Sequence, residues 1–227
     1  MPDASLTIDG TEVIRKASGV TTLKNTNIDS NVQFPDGHII QSKTSTLTSG
    51  FNHTIGGGNA VQNNGTTDCD GTASSRADSS WGGIVDDLIV TLTKSSSSSY
   101  FLITYNLYMT NSHMAEQANS YISLYSSVDN YAEPISRGDV ALTRKRVTGG
   151  FRTNYGSSAQ NGNNNVHIGG QAKYSPSINS GITVTIKPLV ASTYNIAVYL
   201  NFNSSDGNDI HNQRYVSTMT VQEIQGT

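Results

Sequence analysis

Cysteine is nearly missing from this chain. Cys69 is the only one among 227 residues, so no intramolecular disulfide can staple the fold, and stability has to come from packing or from association with other chains. Charge is scarce as well: Asp, Glu, Lys and Arg make up 14% of the sequence, against roughly 25% in an average soluble domain. The surface is left to Ser, Thr, Asn, Gln and Gly, which suits extracellular or particle-bound proteins that meet water, sugars or neighbouring subunits. A formal net charge of -3 supplies no broad attraction for nucleic acid or anionic lipid, and neither is expected as a partner. No stretch approaches the ~20 apolar residues of a membrane span, so no membrane insertion is expected. The start Met1-Pro2-Asp3-Ala4 has neither the basic flank nor the apolar run of a secretory leader. A chain of this kind found outside a cell is expected to assemble in the cytoplasm and leave by lysis.

Signatures of chemistry are missing in the same way. The histidines His38, His53, His113, His167 and His211 are scattered, with no pair three or four residues apart, and there is neither a His-Glu-x-x-His motif nor a cysteine pair. No metal site is expected from that pattern. Asp68-Cys69-Asp70-Gly71 and Asp206-Gly207-Asn208-Asp209 resemble pieces of calcium loops without the full ligand series, and are read as turns. A Gly-x-Ser-x-Gly elbow and a phosphate-cradling loop are absent. Asp86-Asp87 opens a predicted strand over 84–93, where neighbouring side chains point to opposite faces and cannot flank one bond. Alternation puts Asp86 with Ile84, Leu88 and Val90, at a rim or across an interface, with Arg144 and Arg146 as candidate partners. A non-enzymatic protein without a cofactor is the expectation.

What the chain does contain is alternation. In Tyr100–Met109 the odd positions Phe101, Ile103, Tyr105, Leu107 and Met109 form one apolar face. Ile182, Val184 and Ile186 do the same in 181–187, and Tyr194, Ile196, Val198, Leu200 and Phe202 in the next stretch. Further strands are predicted at about 39–48, 84–93, 120–128, 138–147, 168–176 and 214–224. No segment has a helical period, and Ser112–Ala118 is at most one helical turn. The fold class is therefore all-β, a jelly-roll-like antiparallel β-sandwich head over 37–227.

Residues 1–36 are sparser. Leu6, Ile8, Val13, Ile14, Val20, Leu23, Ile28, Val32 and Phe34 are too few and too widely spaced for a core of their own. Asp9-Gly10 reads as a tight turn in a small hairpin. Wound with copies of itself, the same segment gains a thin shared core, so it is expected to be an intertwined β stem of a homotrimer. The stem-head joint and trimer packing fall on Phe34, Pro35, Gly37, His38 and Ile39.

Two loops, 49–82 and 148–167, are longer than packing requires. Counting strands up and down places both at the end opposite the stem and the serine turn 95–99 near it. Loops on a rigid scaffold commonly carry contacts, and aromatic rings beside amide side chains grip sugars. The candidate receptor or glycan contacts are Trp81, Phe151, Tyr155, Asn163 and Asn164.

The stretch Phe34-Pro35-Asp36-Gly37-His38-Ile39-Ile40-Gln41 resembles the Phe-Pro-x-Gly-His-hydrophobic-hydrophobic-Gln opening of a β-sandwich domain in structural proteins of tailed phages, especially marine and cyanobacterial ones. Ile84–Lys94 with its serine turn and Tyr100–Tyr108 is similar to the early hairpin of that domain, and Ser217–Ile224 to its closing strand. The resemblance implies a homotrimeric virion protein without catalysis, joined to other tail or capsid proteins through its N-terminal segment. Within that family the loops point to a short tail fibre or receptor-binding protein that meets a host surface glycan or protein. A capsid decoration or cement protein is the alternative, and a polysaccharide-degrading tailspike the weaker one.

Overall fold

The computed structural model describes residues 4–8, 11–17, 20–23, 35–54, 83–111, 119–136, 138, 147–152, 166–192, 197–203 and 213–226. It divides into two units, Met1–Pro35 and Asp36–Thr227. In the first, β1 (Ala4–Ile8), β2 (Thr11–Ala17) and β3 (Val20–Leu23) pair in order as an antiparallel sheet. Ile8 faces Thr11, which leaves a two-residue link where Asp9-Gly10 predicts the turn.

The second unit is an antiparallel two-sheet sandwich, as the alternation predicts. Its strands are β4 (Ile39–Leu47), β5 (Phe51–Thr54), β6 (Gly83–Ile84), β7 (Val90–Thr93), β8 (Tyr100–Asn111), β9 (Asn119–Ser126), β10 (Gly149–Arg152), β11 (Val166–Tyr174), β12 (Thr183–Ser192), β13 (Ala197–Leu200) and β14 (Ser217–Ile224). In the six-stranded sheet β8 is central. It pairs with β11 along one edge, and along the other with β14 over its first half and β13 over its last residues. Beyond these lie β4 and β5. The second sheet runs β10-β9-β12, with β6 and β7 sharing the remaining edge of β12.

The core lies between the sheets. The odd residues of β8 from Phe101 to Met109 are buried, and they meet Ile122 and Leu124 of β9, Val184, Ile186 and Val190 of β12, and Met219 and Val221 of β14. Each such side chain contributes roughly 1.5–3 kcal/mol by leaving water, which is how a chain with no disulfide holds together.

One buried amide joins the sheet where β13 gives way to β14. Asn201, 1% exposed, has the left-handed φ of 65° that Asn tolerates better than most residues. Its N–H donates to Tyr108 O (2.9 Å) and its carbonyl accepts from Tyr215 N–H (3.0 Å). The side-chain Nδ2 donates to Leu47 O (2.7 Å) and Ser49 O (3.1 Å), and Oδ1 accepts from the Ser217 hydroxyl (2.6 Å). One residue thus ties the end of β4, the end of β13 and the start of β14 to β8.

Several sequence expectations need correction. The strand predicted over 84–93 is interrupted, because Asp86–Leu88 is a short 3-10 turn closed by Ile89 N–H donating to Asp86 O. Val85 and Leu88 are both fully buried, three residues apart, and a 3-10 turn aligns i with i+3 where a strand would oppose them. Asp86 and Asp87 are exposed in that turn, while Arg144 and Arg146 lie outside the described residues. The strand predicted to end at Lys187 continues through Pro188 to Ser192. Pro188 O accepts from Val85 N–H, so the edge on which proline has no donor faces the gap between β7 and β6, where no ladder bond is lost. The long loops are also shorter than predicted, since 49–82 contains β5 and 148–167 contains β10 and the start of β11. Predicted strand 138–147 falls largely outside the described residues, as does Ser112–Ala118.

Glycine hid part of this. A Cβ on Gly170 would stand 2.5 Å from Tyr105 Oη and 2.8 Å from Cζ, and one on Gly149 would stand 2.8 Å from the same Oη. The buried tyrosine occupies the space two side chains would take, with its hydroxyl donating to Thr148 O (3.3 Å). Gly170→Ala is therefore expected to destabilise the sandwich by about 1–3 kcal/mol in thermal unfolding. Combined with Tyr105→Phe, the loss should be smaller than the sum of the two; strict additivity would contradict the contact.

Candidate functional site

The strand registers give the sandwich two ends. At one of them the chain opens: Gly37, with φ of 82°, donates its N–H to Gln225 O (2.9 Å), and Gln225 N–H returns to His38 O (2.8 Å). The positive φ of Gly37 is one that side chains disfavour, and it turns the chain into β4. Pro35, Gly37, His38 and Ile39, four of the five residues expected at the joint, are exposed here, with Ile39 46% exposed; Phe34 lies outside the described residues.

The serine turn 95–99 closes over the same end around a buried carboxylate. Glu223 is fully buried on the inward parity of β14. It accepts from Ser95 N–H (2.8 and 3.0 Å to its two oxygens), Ser96 N–H (3.1 Å), Gln41 Nε2 (2.5 Å) and the Ser99 hydroxyl (2.5 Å). Two successive backbone N–H groups aimed at one anion make a nest, and serine serves because it is small and adds a hydroxyl donor. Burial alone would raise the Glu223 carboxyl above its ordinary value; hydrogen bonds from Ser99, Gln41, Ser95 and Ser96 outweigh it and hold the group low.

Beside it Lys94 is 1% exposed, with its ammonium donating to Ser97 O (3.1 Å), Ile178 O (3.2 Å) and Pro176 O (3.3 Å). Burial lowers its pKa, and the Glu223 charge works in the opposite direction. Both charges are therefore spent on holding one end of the sandwich shut, the Glu223 carboxylate on the turn 95–99 and the Lys94 ammonium on that turn and the segment 176–178. Next to them opens a depression of about 460 Å³ whose lining includes Gly37, Ser98, Tyr100, Lys173, Ser177 and Gly226.

Polar bonds also close the side of the sandwich. Along β4, Gln41, Lys43 and Ser45 share one face and donate to the carbonyls of Thr93 (2.6 Å), Thr91 (2.8 Å) and Ile89 (2.9 Å). The unpaired edge of β7 is thereby covered with side-chain donors, a way of blunting an edge that would otherwise recruit another strand.

At the opposite end Thr54 meets Ala197, Asn111 meets Val198, Met109 meets Val166, Asn119 meets Arg152, and Ser120 meets Ser192. Asn111 Nδ2 donating to Ser120 Oγ (3.0 Å) ties the two sheets there. The links 55–82, 112–118, 153–165 and 193–196 all leave and return at these strand ends. Of the predicted contact residues, Phe151 is half-buried against the core in β10, opposite Ser120. Trp81, Tyr155, Asn163 and Asn164 lie outside the described residues. Among the described residues no three His, Cys, Asp or Glu side chains gather as a metal would require, and no helix is long and apolar enough to cross a membrane.

Sequence reasoning overlooked Glu223, Lys94 and Gln41, although one signal was available. Alternation along Ser217-Thr218-Met219-Thr220-Val221-Gln222-Glu223 puts Glu223 on the face of Met219 and Val221, and a carboxylate on a core face needs donors.

No family model matches the sequence, and no curated protein matches it. Among solved structures the fold is similar to that of the infectious bursal disease virus VP2 subviral particle, with a TM-score of 0.31 and 7% identity over 89% of this chain and 43% of that one. The structures of the Gx and Gt strains of the same virus match with TM-scores of 0.25 and 0.24 and identities of 8% and 10%. They cover 97% and 96% of this chain and 48% and 45% of theirs. The chain spans less than half the length of the chains it matches, and at these TM-scores the likeness is loose.

Removing the Glu223 carboxylate takes the shared acceptor from the Ser95 and Ser96 N–H groups and from the buried Ser99 hydroxyl. Glu223→Ala should cost about 3–5 kcal/mol, roughly 10 °C in melting temperature, whereas Glu223→Gln, which keeps one acceptor, should cost about 1–3 kcal/mol. Because the folded pKa is depressed, the carboxylate's stabilisation is complete above the ordinary glutamate value of about 4.3. It is lost as the pH falls from there through the folded value. Urea unfolding across pH 2–7 should show that part of the acid loss missing in Glu223→Gln; an unchanged profile would contradict the lock.

Proposed function

We propose that this chain is a non-enzymatic structural protein of a tailed-phage-type virion. In this reading it is a homotrimeric short fibre or receptor-binding protein, joined to tail or capsid proteins by its N-terminal segment. One observation carries the reading. The three separated stretches that resemble the phage β-sandwich, namely the Phe34–Gln41 opening, the hairpin with its serine turn and the Ser217–Ile224 closing strand, are hydrogen-bonded together at a single end around Glu223. A domain with its opening and closing strands clasped at one end has the other end for presentation, and the links 55–82 and 153–165 return there. The neutral surface and single cysteine fit a particle component assembled in a reducing cytoplasm. In a trimer, weak contacts at that end multiply by avidity.

The test is to shorten 153–165 and 55–82 separately in the particle and measure adsorption to host cells. Adsorption is expected to fall at least about tenfold with particle yield unchanged. Normal adsorption by particles that have lost heat resistance would contradict the reading and identify a capsid decoration protein. Release of reducing ends from host surface polysaccharide would contradict the non-enzymatic part.

A further inference from the structure

The side chains on the outside of the six-stranded sheet form a face without a role in the lock, the core or the far-end links. Its strands lie in the order β11-β8-β14-β4, so cross-strand neighbours form rows. One row is Gln171, Thr104, Thr220 and Thr44, and the next is Gly169, Asn106, Thr218 and Thr46. Within the first, Thr44 and Thr220 hydroxyls lie 2.8 Å apart and Gln171 Nε2 donates to Thr104 Oγ1 (3.4 Å). Every residue of these rows is exposed or half-exposed, and none is charged. Aromatic groups bound them. Toward the far end Tyr108 stacks on Tyr215 (centroids 4.6 Å, 14°), with His167 5.0 Å away on its other side. Toward the base Lys173 Nζ sits 4.3 Å above the Tyr100 ring. Tyr100 and Tyr108 are separated by about 27 Å along one strand. Gly169 leaves a notch between, and Asn106 Oδ1 and His167 Cε1 each stand 3.1 Å from where its Cβ would be.

We propose that this face binds a neutral polysaccharide, laid along β8 between the two aromatic ends. Charge and area select that occupant. The two rows carry no charge, and the one lysine at their base, Lys173, lies over the Tyr100 ring, so the face offers little to nucleic acid or an acidic peptide. Four strands wide and about 27 Å long between the aromatic ends, it covers about 500 Å², below the about 800 Å² per partner of a standard protein interface. Leu102 and Val216 are the aliphatic side chains beside the rows among the described residues, so a second copy would gain little by covering them. A neutral sugar chain needs what is present, namely hydroxyl and amide groups that both donate and accept, with ring edges at the ends for its C–H surfaces. The proposal deepens the receptor-binding reading and rests on it for where the sugar is met, adding a contact on the sheet to those of the far-end links.

Binding is measured on the isolated full chain, by saturation-transfer NMR and calorimetry with maltohexaose, cellohexaose and laminarihexaose. At least one is expected to bind, with affinity reduced about tenfold by Thr220→Glu or Thr44→Glu, surface changes that leave the core intact, and unchanged by Asn163→Ala with Asn164→Ala. No binding of any of the three, or equal binding by the Glu variants, would overturn the proposal. So would a fall in solution mass on Thr220→Glu, which would give the face to a second copy. Hexaose binding by the isolated chain together with normal adsorption of particles that lack it would keep the site and reject the receptor-binding reading.

Discussion

A carboxylate buried between strands is the constraint on which one end of this sandwich depends. Glu223 would not tolerate its position without donors, and it has them from two places far apart in the chain: Gln41 of the first sandwich strand and Ser95, Ser96 and Ser99 of the hairpin turn. The Ser95 and Ser96 N–H groups converge on the carboxylate, while Gln41 Nε2 also reaches Thr93 O and the Ser99 hydroxyl also reaches Ser96 O. The mutual dependence fixes which strand closes the fold and where the chain enters it. Lys94, its ammonium on three carbonyls, anchors the turn and the segment 176–178 in the same region.

Hydrogen-bonded side chains do this elsewhere as well. Asn201 joins β4, β8, β13 and β14 where a continuous ladder is impossible, and Gln41, Lys43 and Ser45 seal the β7 edge. A chain with one cysteine and few charges thus uses neutral amides and hydroxyls, together with two buried charges, as its staples. The same residue types, where they face outward on the six-stranded sheet, are what makes that face suited to a neutral sugar.

The two-sheet architecture was legible because alternation in β8, β12 and β14 is nearly unbroken, and alternation is a direct record of which side is dry. The 3-10 turn at Asp86–Leu88 was not, since two acids beside an apolar run read as a strand start unless the three-residue spacing of Val85 and Leu88 is noticed. β5 and β10 were hidden for another reason. Four-residue strands flanked by Gly, Ser and Asn have too few positions to show a period, and Gly149 is in a strand because Tyr105 occupies its side-chain space. Glu223, Lys94 and Asn201 could not be assigned partners, because most of those partners lie 82 to 182 residues away or in turns whose course only the fold determines. The contact residues were chosen for their aromatic or amide character; Phe151 stands half-buried against the core, and the other four lie outside the described residues.

The most direct test of this account is a carbon-13 NMR titration of the Glu223 side-chain carboxyl in the folded protein. The donors around it predict a midpoint below the ordinary glutamate value of about 4.3, with Ser95 and Ser96 amide resonances moving at the same midpoint. A midpoint at or above that value, with the two amides indifferent to it, would mean that burial outweighs the hydrogen bonds and that the end of the sandwich is held by something else.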